Sequence, residues 1–348
     1  MEKIEAKILY ELANSNKTFW ELLERIDVSL NSFLIGIENL RKEGLITADR
    51  NGFRITEKGK EKINPKVLEF EGKICPTCLG KRIIPEGKFK EVIENFKRIV
   101  EKRPEPLLDF FQGHMLEKDV IARVALMNYY GDLEGKDIVL IGDDDLLSIA
   151  LALTELPSTI TVLDVDKRLG DFLDNVNKNY GLDIKFFEYN ISRPIPKELF
   201  EKFDVFSSEP LETISGLKAF IIRGLSCLKE GGVGYVGLTN YEASLKKWLK
   251  FQKLLINLNC VITDIIQGFS VYPTKYDTTD YEEFANKLAF EVDKNPGINW
   301  YKSALMRFEL IKKTLPSIAY KEMKVDYISS EDLTHPEHSK KFNRLINQ

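Results

Sequence analysis

The chain has 348 residues, of which 43% are hydrophobic and 30% are charged, and its formal net charge is −4. This length is sufficient for two or three domains with a substantial core. The net negative charge argues against a general nucleic-acid-binding protein, although it leaves room for a local basic surface. No stretch of about 18 uncharged apolar residues predicts a membrane span, and the first residues lack the pattern of a signal peptide. We therefore expect a cytoplasmic protein.

Two features of the composition concern the environment of the protein. The four cysteines do not form the dense framework of a secreted domain. Only four glutamines accompany abundant lysine, glutamate and isoleucine. This balance is typical of heat-adapted proteins, although AT-rich coding produces it as well. We expect a thermophilic source.

Residues 1–66 are predicted to form a winged-helix-like domain. The helical patterns "AKILYELANS", "TFWELLERI" and "SLNSFLIGIENLRKEGLI" precede a short β-ribbon with a turn at Asn51 and Gly52. Ser29 or Asn31 can cap the third helix, and Gly44 suits its end.

The charge of this domain bears on whether it binds DNA. Residues 1–66 contain 12 basic and 11 acidic residues, which gives a net charge of +1. The candidate recognition helix carries charges that cancel, namely Glu38, Arg41, Lys42 and Glu43. Because a surface that contacts phosphates should be clearly positive, we expect a packing or dimerisation role rather than DNA binding.

Residues 67–115 are predicted to form a Cys-x-x-Cys knuckle followed by a helical linker. Cys75 and Cys78 form one such pair, and the chain has no second pair to complete a zinc ribbon. Three interpretations remain open. The pair holds a metal together with another subunit or with His335 and His338, or it forms a disulfide, or it is a turn without a ligand.

Residues 116–312 are predicted to form a Rossmann-like α/β domain with a mostly parallel sheet. Helical patterns alternate with strand-like runs, which are "DIVLIG", "TITVLDVD", "DIKFFEYN", "FDVFSSEP", "GVGYVGLTN" and "CVITDIIQGF". The polar residues 313–348 are predicted to form a flexible C-terminal tail.

Acidic and polar side chains follow the predicted strands of this domain. In open α/β sheets ligands bind outside the carboxyl ends of the strands, so we expect these side chains to line one site. They are Asp143, Asp144, Asp145, Asp164, Asp166, Asn190, Glu209, Glu212 and Asn240.

Two of these residues indicate a nucleoside. Asp164 ends the second strand about 20 residues after the turn at Gly142, where an acid accepts hydrogen bonds from a ribose diol. The alternative is an ordinary solvated acid at a strand end. Asn190 is placed to meet an adenine edge.

The three consecutive aspartates after Gly142 restrict the ligand further. One aspartate at a helix N-terminus is a favourable cap. Three adjacent carboxylates repel one another unless a cation joins them, and they would reject a phosphate. The loop therefore disfavours dinucleotides and favours a nucleoside carrying a sulfonium and an amine, a polyamine or a divalent metal. S-adenosylmethionine carries a carboxylate as well, so its decarboxylated form suits this loop better.

These motifs together resemble those of the branched-chain polyamine synthases, also called N(4)-bis(aminopropyl)spermidine synthases. The resemblance rests on the Gly-Asp-Asp-Asp loop, on "IARVALMNYYGDLEGKDIVL", "VLDVD" and "GGVGYVGLT", and on the Cys-x-x-Cys knuckle after a winged helix. It implies a class I methyltransferase or aminopropyltransferase type of fold and a homodimer. It also implies that aminopropyl groups move from decarboxylated S-adenosylmethionine to the secondary amine of spermidine, with release of 5′-methylthioadenosine and no required cofactor.

The resemblance assigns a role to one residue, the positions of the other polar residues suggest theirs, and one segment departs from the family. It implies that Asp144 acts on the attacking amine. The expected donor-binding residues are Gly142, Asp164, Asp166, Asn190 and Gln112, and the expected polyamine-binding residues are Glu209, Glu212 and Asp264. The family commonly has an Asp-Pro-Pro-like segment after the fourth strand, where this chain has "SSEPLET".

The chemistry of the acceptor supports a carboxylate at Asp144. A secondary amine with a pKa of about 10.4 is only about one part in a thousand neutral at pH 7. A carboxylate must orient that nitrogen and receive its proton as the new bond forms. We assign this role to Asp144, with Asp143 and Asp145 as electrostatic partners or helix caps.

Two other functions share parts of this pattern. A methyltransferase that uses S-adenosylmethionine would have the same fold and nucleoside site. A transcription regulator would combine a DNA-binding winged helix with a nucleoside-sensing domain. The cavity discriminates among them, because aminopropyl transfer needs an acidic channel for a polycation, whereas methyl transfer to a nucleic acid needs a basic approach.

Overall fold

The computed structural model describes residues 1–26, 28–69, 74–288 and 290–334. Within these ranges the chain forms ten α-helices and nine β-strands. The helices are α1 (Lys3–Asn14), α2 (Phe19–Arg25), α3 (Leu30–Lys42), α4 (Glu57–Lys60), α5 (Phe89–Val100), α6 (Glu117–Tyr129), α7 (Leu147–Ala152), α8 (Lys167–Tyr180), α9 (Ile214–Cys227) and α10 (Leu245–Asn257). The strands are β1 (Ile46–Asp49), β2 (Gly52–Ile55), β3 (Asp137–Ile141), β4 (Thr159–Asp164), β5 (Ile184–Glu188), β6 (Phe203–Ser208), β7 (Leu228–Thr239), β8 (Cys260–Tyr272) and β9 (Tyr301–Leu310).

The N-terminal unit has three helices followed by an antiparallel hairpin, in the order expected from the sequence. Ser29 caps α3 by accepting a hydrogen bond from the backbone N–H of Ser32. Gly44 follows the helix with a φ of 69°, which glycine adopts without strain. Asp49 pairs with Gly52, so the turn lies at residues 50 and 51, one position earlier than predicted. The winged-helix interpretation itself stays a prediction.

Basic residues on this unit are engaged by other parts of the same chain. The guanidinium of Arg41 on α3 lies 4.8 Å from the ring centroid of Phe290. At the hairpin, Arg50 donates to Glu291 at 2.8 Å. Arg41 and Arg50 therefore contact residues 290 and 291 of the same chain, and the packing or dimerisation role of this unit stays a prediction.

The central sheet has seven strands in the order β5-β4-β3-β6-β7-β9-β8. The first five run parallel, and β9 is antiparallel to both of its neighbours. This is the strand order of a class I methyltransferase-type sheet, so the predicted α/β fold with a mostly parallel sheet is confirmed. The sequence analysis missed β9, because buried Ser303 and Arg307 interrupt its apolar pattern.

Helices cover both faces of the sheet, because parallel strands are apolar on both sides. One core joins α5, α6, α7 and α8 to the sheet and includes Phe96, Val120 and Leu173. The other joins α9 and α10 to the opposite face and includes Ile221 and Phe251. The carboxyl ends of the five parallel strands consequently meet at one edge, which the helices leave uncovered.

The C-terminal segment corrects the predicted flexible tail. In residues 313–334 the apolar side chains of Ala319, Met323 and Leu333 are buried. The buried guanidinium of Arg223 donates to the carbonyls of Ala319 at 2.6 Å and Lys321 at 2.8 Å. The segment is therefore packed as far as residue 334. His335 and His338 lie outside the described residues.

None of the helices in the described part of the chain is long and apolar enough to cross a membrane.

Replacement of Arg223 by methionine should destabilise the protein. The variant keeps most of the side-chain volume but leaves the carbonyls of Ala319 and Lys321 without a donor. We expect a loss of about 2–4 kcal/mol in the free energy of unfolding, measured by denaturant titration. Lys218→Met on the exposed face of the same helix is the control and should change little. An Arg223→Met protein as stable as this control would show that the hydrogen bonds from Arg223 to the C-terminal segment do not stabilise the fold.

Candidate active site

A cavity of about 420 Å³ lies at the carboxyl edge of the sheet. Its walls come from the turns after β3, β4, β5, β6 and β7 and from three further segments. These segments are residues 109–113, 272–281 and 327–334. The placement follows the rule for ligand sites in open α/β sheets.

Asp144 lies in the wall of this cavity, in the turn after β3. The backbone N–H of Gly113 donates to its carboxylate at 3.0 Å. Burial raises the pKa of Asp144 to about 7, and the nearby charges of Asp164 and Glu209 act in the same direction. Asp144 therefore titrates near neutral pH, as a general base should.

The other two aspartates of the loop do not line the cavity, which corrects the expectation that they take part in the site beside Asp144 and leaves the alternative that they serve as caps. Asp143 is buried and accepts hydrogen bonds from the backbone N–H and the hydroxyl of Ser148 in α7. Asp145 is buried and accepts from the backbone N–H of Met115. Burial raises the pKa of both carboxyls well above the ordinary value. Their positions make Asp143 a helix cap and Asp145 an anchor for the segment before α6.

The predicted donor-binding residues are largely brought together. Gly142, Asp164, Asn190 and Gln112 line the cavity. Asp164 is buried and accepts from the backbone N–H of Asp143 at 3.0 Å and of Asp166 at 2.8 Å. These contacts fix the carboxylate at the cavity wall.

Asp166 does not line the cavity, so its predicted role as a donor ligand is corrected. It caps α8 through the backbone N–H of Arg168 and accepts from Nε2 of Gln112 at 2.9 Å. Burial opposes its ionisation, but the hydrogen bonds from Arg168 and Gln112 hold its pKa below the ordinary value. Asp166 therefore orients Gln112 instead of meeting the ligand.

Two glutamates after β6 form the next part of the wall. Glu209 is paired with the buried guanidinium of Arg123 and accepts from the hydroxyl of Tyr272 at 2.9 Å. Glu212 accepts from the backbone N–H of Thr239, while its buried Oε2 has no hydrogen-bond partner within the described residues. Burial raises the pKa of Glu212 well above the ordinary value, and Glu242 adds to the rise. This carboxylate oxygen can accept a hydrogen bond from a ligand in the cavity.

The sequence analysis missed several wall residues. Glu242 belongs to the turn after β7, so the strand-end rule could have found it two positions beyond Asn240. Asp332 comes from the C-terminal segment, which carried no signal of a site. Burial raises the pKa of Glu242 to about 7, and the charge of Asp332 contributes. Other missed wall residues are Tyr272, Tyr281, Tyr301, Tyr327 and Thr334.

The charge of the cavity is one-sided. Seven carboxylate side chains line it, and no lysine, arginine or histidine from the described ranges does. They are Asp109, Asp144, Asp164, Glu209, Glu212, Glu242 and Asp332. His114 comes directly after the wall segment 109–113 in the chain. Burial lowers its pKa to about 3, so the imidazole is neutral. Such a cavity favours a ligand with several positive charges.

Comparison with known proteins identifies the family. The model for the branched-chain polyamine synthase A C-terminal domain matches residues 91–340. The N(4)-bis(aminopropyl)spermidine synthase of Methanocaldococcus jannaschii is 39% identical, over 84% of each chain. The chain belongs to the branched-chain polyamine synthase family. The synthase of Thermococcus kodakarensis is 35% identical, again over 84% of each chain.

A solved family structure has the same overall fold. The branched-chain polyamine synthase from Thermus thermophilus, in complex with N4-aminopropylspermidine and 5′-methylthioadenosine, superimposes with a TM-score of 0.83 at 32% identity. The match covers 94% of this chain and 92% of the other.

Three predicted residues lie apart from the cavity. Asp264, predicted to bind polyamine, is on β8, where it pairs with Arg82 and accepts from the hydroxyl of Tyr130 at 2.8 Å. Its role as a polyamine ligand is therefore corrected. Cys75 and Cys78 are free thiols, and the described residues contain no cluster of three or more potential metal ligands.

Gly237 on β7 leaves the space that Glu209 occupies. A Cβ atom at this position would overlap the Glu209 carboxylate. Gly237→Ala should displace that carboxylate from Arg123, lower the stability by about 2–4 kcal/mol and weaken acceptor binding. Thermal unfolding and acceptor titration measure both effects.

The shorter carboxylate in Gly237→Ala/Glu209→Asp provides the control. It should restore part of the lost stability, because the aspartate retracts from the new methyl group. An unchanged melting temperature in Gly237→Ala would show that the backbone shifts to accommodate the methyl group and that position 237 does not require glycine.

Proposed function

We propose that the protein transfers aminopropyl groups from decarboxylated S-adenosylmethionine to the secondary amine of spermidine. The observation that carries this proposal is the cavity with seven carboxylates and no basic side chain from the described residues. Family membership supports the same reaction. The test is to incubate the protein with spermidine and either sulfonium donor and to identify the products by mass. Methyl transfer from S-adenosylmethionine at an equal or greater rate would exclude the proposal.

The order of strands supports a division of the cavity. Asn190 and Asp164 follow β5 and β4 at one side, Asp144 follows β3, and Glu209 and Glu242 follow β6 and β7. Neighbouring strands are about 4.8 Å apart, so β4 and β7 are about 14 Å apart. This separation accommodates a nucleoside on one side of Asp144 and an extended polyamine on the other.

The proposed step needs no group beyond the two substrates and the protein. The lone pair of the secondary amine attacks the sulfonium-bound carbon of the aminopropyl chain, and the carbon–sulfur bond breaks. The sulfur keeps that electron pair and leaves as the neutral thioether of 5′-methylthioadenosine. Asp144 receives the proton of the new ammonium. Holding both substrates along the cavity reduces the entropic cost of the attack.

The charge of the cavity also supports the decarboxylated donor over S-adenosylmethionine. The methionine carboxylate of the latter would enter a wall of acids without a cationic side chain from the described residues to receive it. Burial of an unpaired charge is costly. No comparable conflict arises for the decarboxylated form, whose remaining charges are positive.

Three further predictions from the sequence belong to the proposal. Exposed apolar side chains on α10 and β8, among them Leu249, Ile256 and Val261, support a homodimer. A cytoplasmic location fits an enzyme that acts on small polyamines. A metal held by Cys75 and Cys78 would need ligands beyond those the described residues provide.

Asp144→Asn should separate catalysis from donor binding. The amide keeps the size and a hydrogen-bonding group but cannot take the proton, so turnover should fall by a factor on the order of 10² to 10⁴. Donor affinity should change far less, because Asp164 and Asn190 remain. Asp164→Ala is the matched variant and should weaken donor binding more than the chemical step. Near-normal turnover in Asp144→Asn would place the base elsewhere, with Glu209 the next candidate.

The pH dependence of the reaction should report on Asp144. Its pKa of about 7 in the free protein means that it is protonated, and unable to act as a base, below that pH. The acceptor must also lose one proton, with a pKa of about 10. The slope of log kcat/KM against pH should therefore decrease near pH 7, by one unit from Asp144 and by up to one more unit from Glu242, whose pKa is also about 7. Glu242→Gln removes the second contribution and should keep the one-unit bend from Asp144, whereas a Glu242→Gln profile without any bend near pH 7 would contradict the assignment.

A further inference from the structure

The N-terminal unit contacts the loop that follows β7. The backbone N–H of Leu30 donates to the carbonyl of Tyr241 at 3.0 Å. Leu30 is the first residue of α3, so its N–H has no acceptor within the helix. The start of the candidate recognition helix is thus used to hold residue 241 of the catalytic domain, one position before Glu242.

An aromatic stack continues this contact to the cavity wall. The ring of Trp20 on α2 packs against Trp300 at 6.1 Å between centroids, and Trp300 packs edge-on against Tyr241 at 5.3 Å. Tyr241 stacks on Tyr301 at 5.7 Å. Trp20, Trp300 and Tyr241 are buried in the same core as the N-terminal helices, and Tyr301 lines the cavity.

Further hydrogen bonds hold Glu242, the residue that follows Tyr241 in the chain. Its backbone carbonyl accepts from Nζ of Lys247 at 2.6 Å, and its carboxylate accepts from the hydroxyl of Thr334. Tyr301 also hydrogen-bonds to the carboxylate. The carboxylate lines the cavity on the β7 side, away from Asp164 on the β4 side.

We propose that the N-terminal unit is a structural part of the acceptor site, which it completes by positioning Glu242 to bind a terminal ammonium group of the polyamine. This inference rests on the proposed function for the identity of the acceptor. It assigns the winged-helix-like unit to substrate selection. Leu30 and Tyr241 act as positioning residues, since neither lines the cavity.

Leu30→Pro tests the contact directly. Proline lacks the N–H but suits the first position of a helix. The preceding Ser29 has φ −60° and ψ 142°, a conformation that a following proline permits. Leu30→Ala is the matched control, because it also removes the buried side chain but keeps the N–H. The difference between the two variants therefore isolates the hydrogen bond to Tyr241.

Calorimetric binding of spermidine and steady-state kinetics provide the two readouts. Relative to Leu30→Ala, Leu30→Pro should raise the Kd and the KM for spermidine by roughly 5- to 20-fold and leave the KM for the donor unchanged. In a Glu242→Gln background the two variants should bind spermidine equally, because the positioned carboxylate is gone. If the contact had a purely structural role, Leu30→Pro would instead lower the melting temperature, and its difference from Leu30→Ala would persist in the Glu242→Gln background.

Trp20→Leu provides a second test if Leu30→Pro does not fold. Its control is Phe19→Leu, from the same helix and core but without a ring contact to Trp300. Equal spermidine affinity within both pairs would overturn the inference. The variants could show the predicted differences in spermidine affinity while the wild-type protein transfers no aminopropyl group. That result would overturn the proposed function but not this inference.

Discussion

The burial of acidic side chains around one cavity is the constraint on which the rest of the site depends. Ionised carboxylates lose hydration on burial, and mutual repulsion adds to the cost. The protein compensates only in part, because Arg123 pairs with Glu209 and Lys247 lies near Asp332, while Oε2 of Glu212 has no hydrogen-bond partner among the described residues. The raised pKa values of Asp144, Glu212 and Glu242 are the measure of this imbalance. A ligand with several positive charges would offset this repulsion, so the burial of the carboxylates favours binding of such a ligand.

The parallel sheet holds most of these carboxylates in place despite their mutual repulsion. Five of the seven acids lie at or just after the ends of the largely buried strands β3, β4, β6 and β7, so these carboxylates are held by elements that cannot easily separate. Backbone N–H groups do much of the positioning, as Gly113 does for Asp144 and Met115 for Asp145. The segment between α5 and α6 is therefore as much a part of the site as the acidic loop that it contacts.

The sequence predicted the parts of the site that follow from local rules. Strand ends and the Gly-Asp-Asp-Asp pattern located Asp144, Asp164 and Glu209 at the cavity, because parallel strands bring their carboxyl ends to one edge. Local rules do not state which way a side chain turns, so Asp143 was expected to line the site and Asp166 to bind the donor, although both serve as caps. Asp332 was missed because tertiary packing of the C-terminal segment alone brings it to the cavity.

The direction of charge movement explains why acids along the acceptor side favour the reaction. Positive charge starts on the sulfonium and develops on the attacking nitrogen as the carbon–sulfur bond breaks. Carboxylates that bind the ground state equally well would lower KM without accelerating the step. In the proposed reaction Asp144 lies between the two halves of the cavity, so its interaction with the nitrogen would strengthen as positive charge develops there and would end with proton transfer. In the same proposal the more distant acids, Glu212 and Glu242, would place the polyamine so that its central nitrogen meets this carboxylate.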